Sequence, residues 1–431
     1  MTTDFDIVVI GAGPVGASTA ALLARHSGVD PARIALLAPE LTAITAAATS
    51  IAIDASAPPQ SHVAPPELRV AALSRASEQI LRRAGAWDHL PPARLCAYER
   101  MRVWHASVPA DSAAALCFDA AELAEPNLGY IVENRALSNA ALSSFREQGG
   151  AMLATSVSAL ASTAECVTLH GANGTHTARL LIGADGARSR VREWLGIEIS
   201  AHDYQQSAIV ATVATDKLHQ HTAWQRFLAS GPLALLPLFD GSCSIVWSAD
   251  NVLANELMKL DSAEFAARLD AASDHVLGCT RLLSERLAVP LHRRVARRLI
   301  GPRTALLGDA AHVVHPLAGQ GFNLGLLDAA ALVEAVAVAR QEREDPGATR
   351  VLRRYEQARL THNALMSASM STFNELFTRG PGPGGWLAAQ LLGLAGASAT
   401  SRRWFARRAL GLSGELPSLA RGGNLARAAS W

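Results

Sequence analysis

Residues 11–16 read Gly-Ala-Gly-Pro-Val-Gly and follow directly on the apolar run Phe5–Ile10. Ala17 to Arg25 then has helical character, and Arg33 to Leu37 is a second apolar run. This order predicts a β-α-β unit with the glycines in the turn between strand and helix. Gly11 permits the tight turn, Gly13 lets a pyrophosphate approach the backbone, and Gly16 lets helix and strand pack closely. The helix N-terminus adds unsatisfied N–H groups and the positive end of its dipole. Strand, glycines and helix together predict a dinucleotide site, which the glycine spacing alone would not. The second strand of such a unit commonly ends in an acid that holds the adenosine ribose. Here it ends Leu37-Ala38-Pro39-Glu40, with Ala38 where the acid is expected. Glu40 either reaches the ribose from two positions later or is a solvated loop acid.

Two later segments have related chemistry. The short apolar run Leu180–Ile182 leads into Gly183-Ala184-Asp185-Gly186 and on to Arg192. The run Thr304–Leu307 leads into Gly308-Asp309-Ala310-Ala311-His312, then His315-Pro316 and Gly319-Gln320-Gly321-Phe322-Asn323. An aspartate just beyond a buried strand is placed to hydrogen-bond a polyol. A Gly-x-Gly pair opening a helix can set N–H groups against an electron-rich ring edge. Composition excludes several other classes. Lys and Arg total 39 against 38 Asp and Glu, so no basic field points to nucleic acid. Aromatics are 5 %, too sparse for base-stacking platforms. The five cysteines are scattered and never in a C-x-x-C, which predicts neither a disulfide framework nor a metal finger.

With these segments in this order, the chain resembles the class A flavin monooxygenases, the p-hydroxybenzoate hydroxylase superfamily. Arg69–Ser74, Tyr130–Asn134, Gly231–Leu238, Ser244–Trp247, Gly308–Leu326 and Arg408–Leu412 narrow the resemblance to the ubiquinone-biosynthesis hydroxylases, almost end to end. The resemblance implies an α/β fold: a Rossmann-like FAD-binding domain, an inserted antiparallel-sheet substrate domain and a C-terminal helical region. It implies FAD as cofactor, NAD(P)H as transient reductant, and a polyprenylated phenol with O2 as substrates, reacting through a flavin C4a-hydroperoxide. No metal is implied. Gly11, Gly13 and Gly16 would face the FAD pyrophosphate. Arg69 and Arg135 (or its neighbour Asn134) would add FAD contacts, and Asp185 and Gly186 would support FAD and NAD(P)H. Gly308 and Asp309 would meet the ribityl chain, and Pro316 the reactive edge of the flavin ring. Gly319, Gln320, Gly321 and Asn323 would belong to the helix start near the ring.

The character of the chain suggests a discontinuous FAD-binding domain over 1–92, 130–196 and 291–350. A substrate domain would span 93–129 and 197–290, and a helical region 351–431. Glu67 to Gly85 has helical periodicity. His312 and His315 invite a general-base reading against a packing or hydrogen-bonding one. Arg293, Arg294, Arg297 and Arg298 are either a solvated face or a contact for an NADPH phosphate. The C-terminal region combines Trp386, Leu387, Leu391, Leu392, Trp404 and Phe405 with Arg402, Arg403, Arg407 and Arg408, a composition suited either to an anionic bilayer or a partner in a ubiquinone-biosynthesis complex, or to a helix packed on the catalytic core. The expectation is a cytoplasmic protein, peripheral on the inner face of the membrane through 381–412. Two other readings are a same-fold hydroxylase of a soluble aromatic compound and a non-catalytic flavin-holding assembly protein. A flavin halogenase is disfavoured because no W-x-W-x-I-P stretch is present.

Overall fold

The computed structural model describes residues 3–41, 64–314, 320–361, 363 and 416–421. The fold is α/β and is organised around three sheets. The first has parallel strands at its centre: Ala151–Leu153, Ile34–Leu37, Phe5–Ile10, Gly174–Gly183 and Thr304–Leu306, in that spatial order. Residues 7–9, 34–37, 180–183 and 304–306 of the parallel strands are buried, which explains these apolar runs. Their register positions everything that follows. Ile10 lies level with Leu37 on one side and Gly183 on the other, and Gly183 lies level with Leu306. Three segments far apart in sequence therefore leave the sheet from one edge, side by side. Helix Pro14–His26 packs on this sheet, and helices Asn134–Glu147 and Gln320–Gln341 both pack against that helix.

The second sheet has nine strands and is mostly antiparallel. Its spine is the seventeen-residue strand Ile199–Thr215, paired with Cys243–Asp250 on one side and Leu287–Ala296 on the other. Beyond Cys243–Asp250 follow Gly231–Pro237, Thr222–Leu228, Arg100–His105 and Leu116–Asp119. Alternation sends Ile209, Ala211, Val213, Leu235, Ile245 and Trp247 to one face, where helices Asn251–Lys259 and Ser262–Ala272 cover them. The second of these helices starts at a capping box formed by Asp261 and Glu264. The opposite face meets a three-stranded sheet of Val70–Ser74, Gly129–Glu133 and Cys96–Tyr98, through Ala223 and Leu238 against Ala72, Tyr98 and Ile131. The two-residue strand His312–Val313 ties the second sheet to the exit edge of the first.

The helix expected over Glu67 to Gly85 is two elements. Val70–Ser74 is a strand paired with Gly129–Glu133, and the helix covers only Arg75–Arg83. Ser74 makes the switch, accepting a hydrogen bond from the Ser77 amide as N-cap. Helix Gln320–Gln341 is apolar and long enough to cross a membrane, but most of it is buried in the core. Its position between the glycine-loop helix and Arg75–Arg83 accounts for an apolar surface on nearly all sides.

Candidate functional site

The three glycines of the first turn have three different surroundings. A Cβ on Gly11, where φ is +110°, would lie 2.3 Å from the Ala184 carbonyl oxygen. One on Gly16 would lie 2.0 Å from the Gly11 carbonyl oxygen. One on Gly13 would meet nothing within 4 Å. Two glycines thus permit backbone contact inside the protein, and the middle one leaves an open face. Gly13 is also the N-cap of Pro14–His26, with no side chain capping the helix. The first N–H groups of that helix therefore remain available to an anion.

Two lobes of a cleft meet at Gly13, Ala184 and Gly186. The larger, about 570 Å³, is bounded by Leu37–Glu40 on one wall and Thr155–Val157 on another, with Asp185, Arg188 and Arg190 beside it. The smaller, about 350 Å³, is lined by Val70, Ala71, Asn134, Asp309, Val313 and Val314, and by Gly321 and Phe322. A long ligand with a nucleoside at one end and a flat ring at the other matches this shape. The polar groups match as well. Gly186, at φ +80°, has open space where a Cβ would be. One carboxylate oxygen of Asp185 accepts from the Val191 amide at 3.1 Å, while the other is buried with no partner among the described residues. Such an oxygen requires a donor. Asp309 opens into the smaller lobe, where desolvation pushes its pKa up and the nearby His312 pulls the other way. The residues present therefore fit FAD.

Not every residue singled out in the sequence faces the cleft. Gly308 sits in the turn before Asp309 at φ +59°, against Val15. Arg69 is exposed and lines neither lobe, while its carbonyl accepts from the Asn134 amide at 3.0 Å. Arg135 is largely exposed and pairs with Glu67, whereas its neighbour Asn134 lines the smaller lobe. The Asn323 amide is fully engaged inside the protein. It donates to the Ala72 carbonyl at 2.9 Å and accepts from the Ser74 amide at 3.0 Å and the Ser77 hydroxyl at 2.6 Å. Glu40 lines the larger lobe together with Ala38. Gln320 begins the helix that carries Gly321. His315, Pro316 and Gly319, like the region 381–412, lie outside the described residues.

His312 is 2 % exposed, and its Nε2 meets the Asp328 carboxylate at 2.5 Å. This geometry matches the hydrogen-bonding reading rather than a base open to substrate. Within the arginine cluster, Arg297 is exposed and pairs with Glu198 at 3.3 Å. Arg294 is opposite Val313 in the ladder and so shares the sheet face of a residue that lines the smaller lobe.

Sequence reasoning missed several contributors. Arg192 is buried and donates to the Ala310 carbonyl at 2.9 Å and the Ala187 carbonyl at 3.1 Å, stapling two of the three exit segments together. Its signal was its place at the end of the Gly183–Arg192 run. Gly325 lets the long helix close on Val15 and Gly308, since a Cβ there would lie 2.7 Å from Val15. Asp328 could have been found as an acid inside an apolar helix. Thr155–Val157 carries no local signal.

Comparison with known proteins follows the same lines. Residues 139–368 match the family described as FAD binding domain. The chain is 34 % identical over 423 residues to the ubiquinone hydroxylase UbiL of Rhodospirillum rubrum, covering 97 % of this chain and 92 % of that protein. It is 33 % identical over 374 residues to the 3-demethoxyubiquinol 3-hydroxylase of Escherichia coli K12, covering 85 % of this chain and 88 % of that one. Among solved structures, p-nitrophenol 4-monooxygenase PnpA from Pseudomonas putida superposes with a TM-score of 0.73 at 22 % identity. That match covers 96 % of this chain and 99 % of that chain, and it is a likeness of fold.

Proposed function

The chain belongs to the FAD-dependent hydroxylases of ubiquinone biosynthesis, and from its cleft we propose that it hydroxylates the ring of a polyprenylated phenol. It is an FAD-dependent monooxygenase, using NAD(P)H as reductant and O2 as the source of oxygen. The observation that carries this reading is the convergence of three distant segments on one two-lobed cleft.

Bound FAD supplies the redox chemistry, accepting hydride and activating O2 for oxygen transfer. The protein's part is to hold the cofactor and keep water out. In this reading the open face of Gly13 and the free helix N-terminus receive the pyrophosphate, with Gly11 and Gly16 giving the turn its shape. Asp185, beside Gly186, supplies a buried acceptor at the larger lobe. Asp309 accepts from ribityl hydroxyls, and Asn134 approaches the ring end. Val103, Leu116, Phe227, Val314 and Leu324 form an apolar cluster next to the smaller lobe, a wall that excludes water. Of the arginine cluster, Arg294 is the proposed contact for an anionic reductant, supported by its pairing with Val313 in the ladder. A peripheral seat on the inner face of the cytoplasmic membrane, through 381–412, suits a substrate with a long apolar tail. Its support is the composition of that region, where Trp404 and Phe405 stand between Arg402–Arg403 and Arg407–Arg408.

Quinone-lipid mass spectrometry of a strain lacking the gene tests the assignment. The expected result is loss of ubiquinone and accumulation of a prenylphenol one oxygen short. Unchanged ubiquinone in a strain without a second hydroxylase would overturn it, leaving a soluble aromatic as the substrate to seek. Phenol-stimulated oxidation of NAD(P)H by the purified protein would exclude a non-catalytic assembly role.

A further inference from the structure

Asp328 lies in the middle of helix Gln320–Gln341 and is fully buried. Its two carboxylate oxygens do different work. One accepts from Arg359 Nε at 2.8 Å and from Asn363 Nδ2 at 2.9 Å, both carried by the helix that begins at residue 349. Arg359, 1 % exposed, also donates to Asn363 Oδ1 at 2.8 Å, so the three side chains close on one another. The carboxylate's charge is therefore balanced from outside the cleft. The other oxygen accepts from the Gly308 amide at 3.2 Å and from His312 Nε2 at 2.5 Å.

Gly308 and His312 are the two ends of the turn that carries Asp309. The interior of that turn is tied as well. The Ala311 amide donates to the Gly308 carbonyl at 2.9 Å, and Arg192 holds the Ala310 carbonyl at 2.9 Å. One oxygen atom, lining neither lobe, thus grips both ends of the segment that delivers Asp309 into the smaller lobe. To donate to this carboxylate, His312 must carry its proton on Nε2. That makes it a link in the chain of contacts.

We propose that Asp328 is a positioning residue for the cofactor: through Gly308 and His312 it fixes Asp309 toward the ribityl and ring end of the flavin, and it has no part in holding the nucleotide end. The inference rests on the reading of the cleft as the FAD site. Its signature is a selective loss. The larger lobe is built from Leu37–Glu40, Thr155–Val157 and Asp185, none of which touches Asp328.

The experiment titrates the full-length apoprotein with FAD and, separately, with ADP, which probes the nucleotide lobe alone. Asp309→Ala tests the underlying reading: FAD should weaken by about tenfold or more with ADP unchanged. If FAD affinity does not move, Asp309 does not meet the flavin and the reading of the cleft fails. Asp328→Asn and His312→Leu test the inference itself. The second leaves the Asp328–Arg359 pair intact and so guards against a variant that fails to fold. Both should weaken FAD by about tenfold, shift the visible absorption of the bound flavin, and leave ADP within about twofold. His312→Gln, which restores a donor to Asp328, should recover most of the lost affinity. Equal losses for FAD and ADP would reduce Asp328 to a general scaffold residue and overturn the proposal. So would unchanged FAD binding in His312→Leu alongside weakened binding in Asp309→Ala.

Discussion

Gly13 and Gly16 are three residues apart and have opposite reasons for being glycine. Gly13→Ala places a methyl in open cleft space, so the fold should keep its melting temperature while FAD affinity falls by about tenfold. Gly16→Ala drives a methyl into a backbone carbonyl, so the cost falls on the fold, about 1–3 kcal/mol of overpacking, read as a lower melting temperature without cofactor. Asp309 has the converse character. Its pKa is raised, first by desolvation, so the folded apoprotein holds that proton more tightly than the unfolded chain does. Stability is therefore lost as pH rises from the ordinary carboxylate value through the folded one, and the penalty persists at neutral pH. Asp309→Asn should weaken FAD with at most a small rise in the apoprotein's melting temperature at pH 7, since the side chain opens to solvent in the cleft; titration and thermal melts check the two side by side. The residues of the first turn were legible because their chemistry is local. Arg135 was not: its backbone is where the motif puts it, but its side chain pairs with Glu67 and Asn134 lines the lobe. Nothing in a motif states which of two neighbours faces inward.

Elements hold together here through a few buried polar ties. Burial works against the charge on Asp328, but His312, Arg359 and the hydrogen bonds from His312 and Asn363 outweigh it and hold its pKa well below the usual carboxylate range. The folded protein thus stays ionised where the unfolded chain takes up a proton, near pH ~4. The stability this carboxylate contributes is complete above that value and is lost as pH falls below it. A series of melts between about pH 5 and pH 3 should show a shallower acid limb in Asp328→Asn than in the parent. The capping box at Asp261 offers a control remote from the cleft. Asp261→Ala removes acceptors for the Ala263 and Glu264 amides and should cost about 1 kcal/mol, with FAD binding unaffected. Helix Ser262–Ala272 carries its signals locally, since its Asp261–Glu264 cap and the spacing of Phe265, Ala266 and Leu269 agree. The stretch from Glu67 was misread because its periodicity suits a helix while pairing with Gly129–Glu133 dictates a strand.

Over the whole molecule, the chain returns to its core at the end. Leu419 and Ala420 are buried in the main hydrophobic cluster, and Ser418 and Leu419 both donate to Glu334 on the long helix. Leu419→Ala should cost about 2–5 kcal/mol by melting, as for any large buried side chain truncated to alanine. That contact was invisible in a sequence that suggested only a basic, helical tail. The order of strands in the nine-stranded sheet was equally hidden, since pairing between Thr222–Leu228 and Arg100–His105 spans more than a hundred residues with no local mark. Three strands of the parallel sheet, Phe5–Ile10, Gly174–Gly183 and Thr304–Leu306, were legible by contrast, because each leads into a chemical motif. The same arrangement has a consequence for how the protein is made. Strand Phe5–Ile10 emerges first, yet its neighbour Gly174–Gly183 is synthesised about 170 residues later, roughly ten to thirty seconds at ribosomal speed. Asp309 and the groups that grip it follow later still. Until that neighbour arrives this apolar strand has an unsealed edge, and until Asp309 and its partners follow the flavin has no finished floor to land on. A site gathered from three distant stretches of chain is complete only when the last of them has been made.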